Sequence, residues 1–274
     1  MTVSVLVEFT GCTFDEPIDL YAANLTGWRL TRCALPGLQA ANVRVHSELM
    51  LENCTVTGLV VLSEAQVEGN IDLRGTRLAC PGGDAVEASG VRVGGNLCCE
   101  RGFSAQGRVV LAGASVTGNA MFSGAALQGS TDPDEPAVLV LLRGSADATA
   151  ALVADRLAVH GDLEARRSRR GTGEDFGALQ ARGQLRLVGA RVHGSVGLTG
   201  ARLHAPGLDV LFADRLGVGG SLFLRGMVAA GSIRLHHAHA VHRSGRGHAN
   251  PHPPLNAPLG HNCNDLGSQN SRRP

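Results

Sequence analysis

The residues that could do chemistry fall into three groups. Seven of the eleven histidines lie between His236 and His261, and His236, His237 and His239 are close enough in sequence to approach one metal ion. Imidazole suits zinc, nickel or copper. A metal site needs convergent ligands, however, and no cysteine or carboxylate stands at a matching short spacing. The three histidines are weak candidate ligands, the plainer reading is a solvated edge and tail, and no metal is expected. Arg166, Arg167, Arg169 and Arg170 form the second group. Guanidinium groups this close can hold a phosphate or an acidic partner surface, against the plainer reading of a solvated loop. Asp132, Asp134 and Glu135 are read as another solvated insertion.

Redox chemistry is the third possibility. A dinucleotide site needs Gly-x-Gly-x-x-Gly between a strand and a helix. Gly217-Val218-Gly219-Gly220 lacks the third glycine and opens another strand, and Gly171-x-Gly173 continues wrongly. Cys98 and Cys99 are adjacent, which sends their side chains to opposite faces of a strand, and no Cys-x-x-Cys occurs. No cofactor is expected. No Ser/His/Asp or paired-carboxylate arrangement emerges either, so catalytic residues stay unknown.

The elements that would position these groups come from a repeat. Residues 183–203 split into GQLRLVGARVH and GSVGLTGARLH, two units of 11 residues on one template. Each holds two apolar pairs, Leu185/Leu187 with Ala190/Val192, then Val196/Leu198 with Ala201/Leu203. A spacing of two puts both members of a pair on one face of an extended segment. Such strands are tiny, the gaps are too short for helices, and glycine supplies the bends. A chain built this way coils, and stacked coils pair every strand with those above and below.

From Cys12 to Val56 the period is nearly five, and Cys12, Cys33 and Cys54 recur every 21 residues. That is every fourth side, as a square coil demands, and it predicts an interior column of small buried thiols rather than a metal site or a disulfide. From Gly58 the 11-residue units continue the square coil. Two stretches of 26 residues, Gly69 to Gly95 and Gly194 to Gly220, share Pro-Gly and Asp before Gly-Gly and read as coils with longer corners. The expected fold is all-β: a right-handed quadrilateral parallel β-helix of about nine coils over residues 1–242. Residues 1–11 form a leading strand or cap, 12–57 the five-residue coils, and 58–242 the 11- and 26-residue coils. Loop insertions are expected near 128–136, 143–154 and 166–177. Residues 243–274, rich in Pro, Asn, Gly and Arg, read as a disordered tail.

Composition narrows the function classes. Glycine at 37 residues and aromatics at 3% suit a narrow core of Leu, Val and Ala. A net charge of +1 gives no argument for a nucleic-acid partner. No signal peptide or apolar run of transmembrane length is seen, and seven cysteines without metal spacing fit a reducing compartment. A cytoplasmic location is expected.

Residues 12–56, with Ala23-Asn24-Leu25 as the motif unit, resemble the pentapeptide-repeat family, whose members form four-sided β-helices. The runs GVRVGGNLCCERGFSAQGRVVLAGASVTGNAMFSGAAL and GARLHAPGLDVLFADRLGVGGSLFLRG are similar to an actinobacterial repeat family often labelled "oxidoreductase" or "membrane-associated oxidoreductase", over roughly 58–242. That label implies a redox activity and allows peripheral membrane attachment. The first resemblance implies protection of gyrase by DNA mimicry, which needs a strong negative charge this chain lacks. The reading from the residues is a non-catalytic scaffold that offers a flat face to a protein partner or to another copy of itself, with the C-terminal end of the solenoid as a second contact point.

Overall fold

A spacing of two between core residues permits only short strands, and many here are two residues long. In the computed structural model, which describes residues 6–129, 150–169 and 175–240, there is no helix among the described residues. None is therefore long and apolar enough to cross a membrane. Parallel strands stack as a β-solenoid of about nine turns, and residues up to His242 form one compact unit.

Each turn visits four faces. Face 1 is a nine-stranded sheet that begins with Leu6–Thr10 and Gly27–Thr31 and ends with Leu222–Phe223. Face 4 is a second nine-stranded sheet, from Asn24–Leu25 to His239–Ala240. Faces 2 and 3 share one 13-stranded sheet, because some strands run round the corner between them without a break. Arg77–Glu87 and Arg202–Phe212 are such strands, 11 residues each. The expected long corners of the two 26-residue coils are therefore continuous strand, bulged between Ala79 and Asp84 and between His204 and Asp209. The parallel partner in the next coil supplies hydrogen bonds on both sides of the bulge, which is why Pro-Gly does not end the strand. The bulges push Pro81 and Pro206 into solvent.

The next coil turns the same corner on one glycine. A Cβ on Gly107 would lie 2.5 Å from the Cys80 carbonyl oxygen, and one on Gly231 would lie 2.6 Å from those of Ala205 and Leu208. Both have positive φ, 117° and 141°, so both space and backbone demand glycine.

The interior is a stack of Leu, Val, Ala and Cys. Cys33 and Cys54 are 2% and 1% exposed, and Cys12 packs at the half-buried end of the same column. The column has a polar side. The Cys12 N–H points at Cys33 Sγ (3.4 Å) and the Cys33 N–H at Cys54 Sγ (3.5 Å). The Cys54 N–H donates to Thr76 Oγ1 (3.1 Å), and that hydroxyl donates to the Leu51 carbonyl (2.5 Å).

A second column stands at the corner from face 4 to face 1. The Asn96 N–H donates to Asn70 Oδ1 (2.7 Å), Asn119 N–H to Asn96 Oδ1 (2.8 Å) and Asp162 N–H to Asn119 Oδ1 (2.8 Å). Ser195 N–H then donates to Asp162 Oδ1 (2.6 Å) and Ser221 N–H to Ser195 Oγ (3.2 Å).

The insertions are smaller than the sequence suggests at one end. Ala150–Val153 is a face 3 strand with Ala150, Ala151 and Leu152 buried, so 150–154 belongs to the coil. An unbroken apolar run hid the inward-outward alternation there. Gln128 likewise closes the face 2 strand Ala126–Gln128. Within 166–177, Ser168–Arg169 pairs antiparallel with Asp175–Phe176 as a small hairpin. Residues 1–5, 130–149, 170–174 and the tail from 241 lie outside the described residues. Leu6–Thr10 is the first strand of face 1.

Substitutions at two positions test this packing. Thr76→Val keeps the shape but strands the Cys54 N–H in the core, and should cost about 1–3 kcal/mol; Thr76→Cys, which restores an acceptor, should cost less. Gly107→Ala should cost about 1–3 kcal/mol or more from backbone strain and contact with the Cys80 carbonyl. Midpoints of urea unfolding followed by circular dichroism check both.

Candidate functional site

Face 2 strands put their middle residue inward and the two flanking residues outward. Leu78, Ala105, Leu127, Ala181 and Leu203 are the buried middles. The flanking residues form two outward rows at about 4.8 Å per coil. Between them runs a shallow trough of about 580 Å³ along the solenoid axis, from Thr55 to Val228. Alanine at 79, 126 and 230 keeps it open.

Its chemistry is one-sided. Arg77, Arg182 and Arg202 line it, together with His204 and the amides of Gln106, Gln128 and Gln180, and among the described residues no Asp or Glu does. Register places Gln106 beside Gln128, Gln128 beside Arg182, Arg182 beside His204 and Gln180 beside Arg202.

On faces 1 and 3 several arginines are neutralised, whereas Arg44, Arg92 and Arg191 on face 4, like those of face 2, meet no carboxylate among the described residues. Arg29 reaches Glu48 at 2.8 Å, and Arg74 forks onto the buried carboxylate of Asp72, which holds the guanidinium pKa above its ordinary value. On face 3, Arg108 meets Asp84 (2.6 Å), Arg186 meets Asp155 (2.7 Å) and Arg234 meets Asp214 (3.0 Å). Arg77, Arg182 and Arg202 have no carboxylate partner among the described residues. Face 4 has a smaller groove of about 340 Å³, but Glu68 sits in it and meets His46 at 2.9 Å. Farther along face 4, His160 and His193 stack with ring centroids 4.8 Å apart, both exposed.

No family model, curated protein or solved structure matches the chain. Both family resemblances therefore rest on the repeat residues alone, and the site must be judged by its own groups.

The groups singled out in the sequence do not assemble with the trough. His236 ends face 3, where its backbone N–H donates to Asp214 Oδ1 (2.9 Å) and its ring lies 3.9 Å from Oδ2. His237 turns the next corner with φ of 56°, and His239 starts the last face 4 strand. Among the described residues no three His, Cys, Asp or Glu side chains converge as metal ligands would. Arg166 is half-buried: its Nη2 is 3.7 Å from Glu164, and its aliphatic stem lies over Gly197. Arg167 is exposed, Arg169 lies in the hairpin, and Arg170 is outside the described residues. This splits the basic cluster, since its first member is tied to face 1.

Sequence reasoning missed the trough. The signal was present as Arg-Leu-Ala, Ser-Ala-Gln, Ala-Leu-Gln, Gln-Ala-Arg and Arg-Leu-His, the face 2 triplets from Arg77 to His204. Aligning Gln128 with Arg182 requires the register on either side of two insertions, and no apolar spacing inside them supplies it.

The thiols are structural. Burial pushes the Cys54 thiol up to about 11 and raises Cys99 well above its ordinary value. Cys99 belongs to the interior cluster, whereas Cys98 faces the other way. At neutral pH these thiols stay protonated, which removes their nucleophilicity and metal affinity. A maleimide applied at pH 7.5 should therefore label Cys12 and Cys80, which are half-buried, and spare Cys33, Cys54 and Cys99 until denaturant is added. Peptide mass mapping reads this out. The same shifts stabilise the fold below about pH 9, the thiol's ordinary value, and that contribution is lost as pH rises towards 11.

Proposed function

We propose that this protein is a non-catalytic β-solenoid scaffold that binds a protein partner along face 2. The observation that carries the reading is the set of exposed arginines in a trough that has no carboxylate among its described residues. An outward guanidinium in a repeat structure is easily neutralised by an Asp one coil away, as face 3 does with Asp155 and Asp214. Three left without such a partner make a surface suited to a complementary one. Acid–base chemistry has little to work with there, since the described lining is arginine, glutamine, serine, threonine and apolar side chains with a single histidine, His204. Mimicry of duplex DNA needs rows of negative charge, the opposite of this face. The oxidoreductase reading has no residue set to rest on.

All 25 basic residues are arginine, so amine-directed cross-linkers have almost nothing to attack. A photo-cross-linking residue at Ala126, in the middle of the trough, is the direct probe, with Ser115 on face 4 as control. In the native cell the residue at 126 should give a discrete protein adduct that falls at least fivefold with Arg202→Glu, and 115 should give none. No adduct at 126, or one indifferent to the charge reversal, removes the reading.

A further inference from the structure

We infer that the segment occupying the trough is an extended, carboxylate-bearing stretch of polypeptide, lying along the solenoid axis with acidic side chains on Arg182 and Arg202. This rests on the reading of face 2 as the contact face and names what it recognises.

The first argument is the kind of cation. Guanidinium groups are planar forks that meet carboxylates and phosphates two bonds at a time, and they lose less entropy per bond than an ammonium does. Arg182 and Arg202 lie in neighbouring coils but in opposite rows. Gln180 pairs in register with Arg202, and Arg182 with His204. The two guanidinium groups therefore reach over the trough from both sides within a single step of the solenoid. Two adjacent anionic groups on one ligand would satisfy them together.

The second argument is length. Arg77 stands in the same row as Arg202, four coils earlier, about 19 Å away at the coil spacing. An extended peptide rising about 3.4 Å per residue covers that distance in roughly six residues. Between the two ends the trough is lined by Gln106, Gln128, Ser104 and Ala126. A glutamine amide offers both donors and an acceptor, the same pair of functions that each peptide unit of an extended chain presents. Alanine at 79 and 126 leaves room for a backbone without large side chains.

The third argument separates polymer classes. Sugars and unpaired bases are held largely by stacking on aromatic rings, at about 1–3 kcal/mol per base. Among the described residues no Phe, Tyr or Trp lines the trough. Three arginines spread over five coils would also neutralise few phosphates of a duplex. What is left is point recognition of carboxylates at the ends and amide pairing between them, which fits a peptide.

Fluorescence anisotropy on the intact chain tests this with four labelled probes. These are an octapeptide with Glu at positions 1, 6 and 7 and Gly or Ser elsewhere, its Gln counterpart, an oligothymidylate, and a sulfated hexasaccharide. The Glu peptide should bind saturably and at least tenfold more tightly than the Gln peptide. Arg182→Gln and Arg202→Gln should each weaken it about tenfold, or 1.4 kcal/mol, whereas Arg44→Gln on face 4 should leave it unchanged. Unaltered urea midpoints show that these exposed substitutions spare the fold. Equal binding of the Glu and Gln peptides, indifference to both trough substitutions, absence of peptide binding, or binding of only the nucleotide or the saccharide overturns the inference. If the Ala126 cross-link persists while the peptides fail, only this assignment of the partner's chemistry falls; if both fail, the contact face falls with it.

Discussion

The structure hangs on the corner between faces 4 and 1. A square coil breaks its strand pairing four times per turn, and each break threatens to leave backbone N–H groups without a partner. At this corner the side-chain oxygen of one coil accepts the N–H of the next, from Asn70 through Asn96, Asn119 and Asp162 to Ser195. The residue before each has to be glycine, because a Cβ on Gly95, Gly118, Gly161, Gly194 or Gly220 would collide with the oxygen that makes the bond. Its own N–H meanwhile donates to the glycine carbonyl one coil earlier. The Gly-Asn, Gly-Asp or Gly-Ser dipeptide thus acts as a clasp, and from Asn70 to Ser221 the clasp sets where each coil begins.

That constraint explains where the chain tolerates extra length. The clasp joins residues 26, 23, 43, 33 and 26 apart. The step of 43 spans the insertion after Gln128, and the step of 33 spans the hairpin of Ser168–Arg169 and Asp175–Phe176. Both excursions close before the corner is reached, so coil length varies while coil register does not. The variable corners are the two that flank face 2: the insertion after Gln128 and the bulges at Pro81 and Pro206 on one side, the hairpin on the other. Binding surfaces in scaffolds tend to lie beside the segments that can vary without unfolding the frame, and the arginine-lined trough lies between these two corners.

The same distinction sets what could be read from the chain. Core positions were legible because burial forces a repeating choice among Leu, Val, Ala and Cys at a spacing of two. The cysteines at 12, 33 and 54 revealed the four-sided count for that reason. The clasp was half legible: its glycines stand out in the repeat, whereas Asn, Asp and Ser follow them interchangeably, each doing the same thing with a different oxygen. Ala150–Val153 was lost because three consecutive apolar residues carry no alternation. The strands through Pro81 and Pro206 read from the sequence as longer corners, and proline normally ends a strand interior. Here it sits on the outside of a bulge, where no ladder bond is required of it. The outward rows were illegible for a deeper reason. Nothing constrains one outward residue by itself, and its meaning comes from neighbours a coil away that only the register identifies.

Charge makes that point most sharply. With 25 basic and 24 acidic residues, the total predicts no partner of either sign. Total charge governs solubility and long-range attraction, whereas recognition responds to the local field. Stacking amplifies the difference, because each outward position is repeated every coil and like charges in one row stand close together. Face 3 resolves this by alternating signs, with Asp155 against Arg186 and Asp214 against Arg234, and it even lays Arg186 and Arg234 against the ring of Phe212. Face 2 dilutes its arginines with neutral amides, alanine and serine instead, which lowers the repulsion without cancelling the charge. A surface selected only for solubility would gain nothing from keeping acids out of one face while supplying them to its neighbour. The asymmetry between two faces of one repeat, as the described residues show it, is therefore what favours an acidic partner in the proposed reading of face 2.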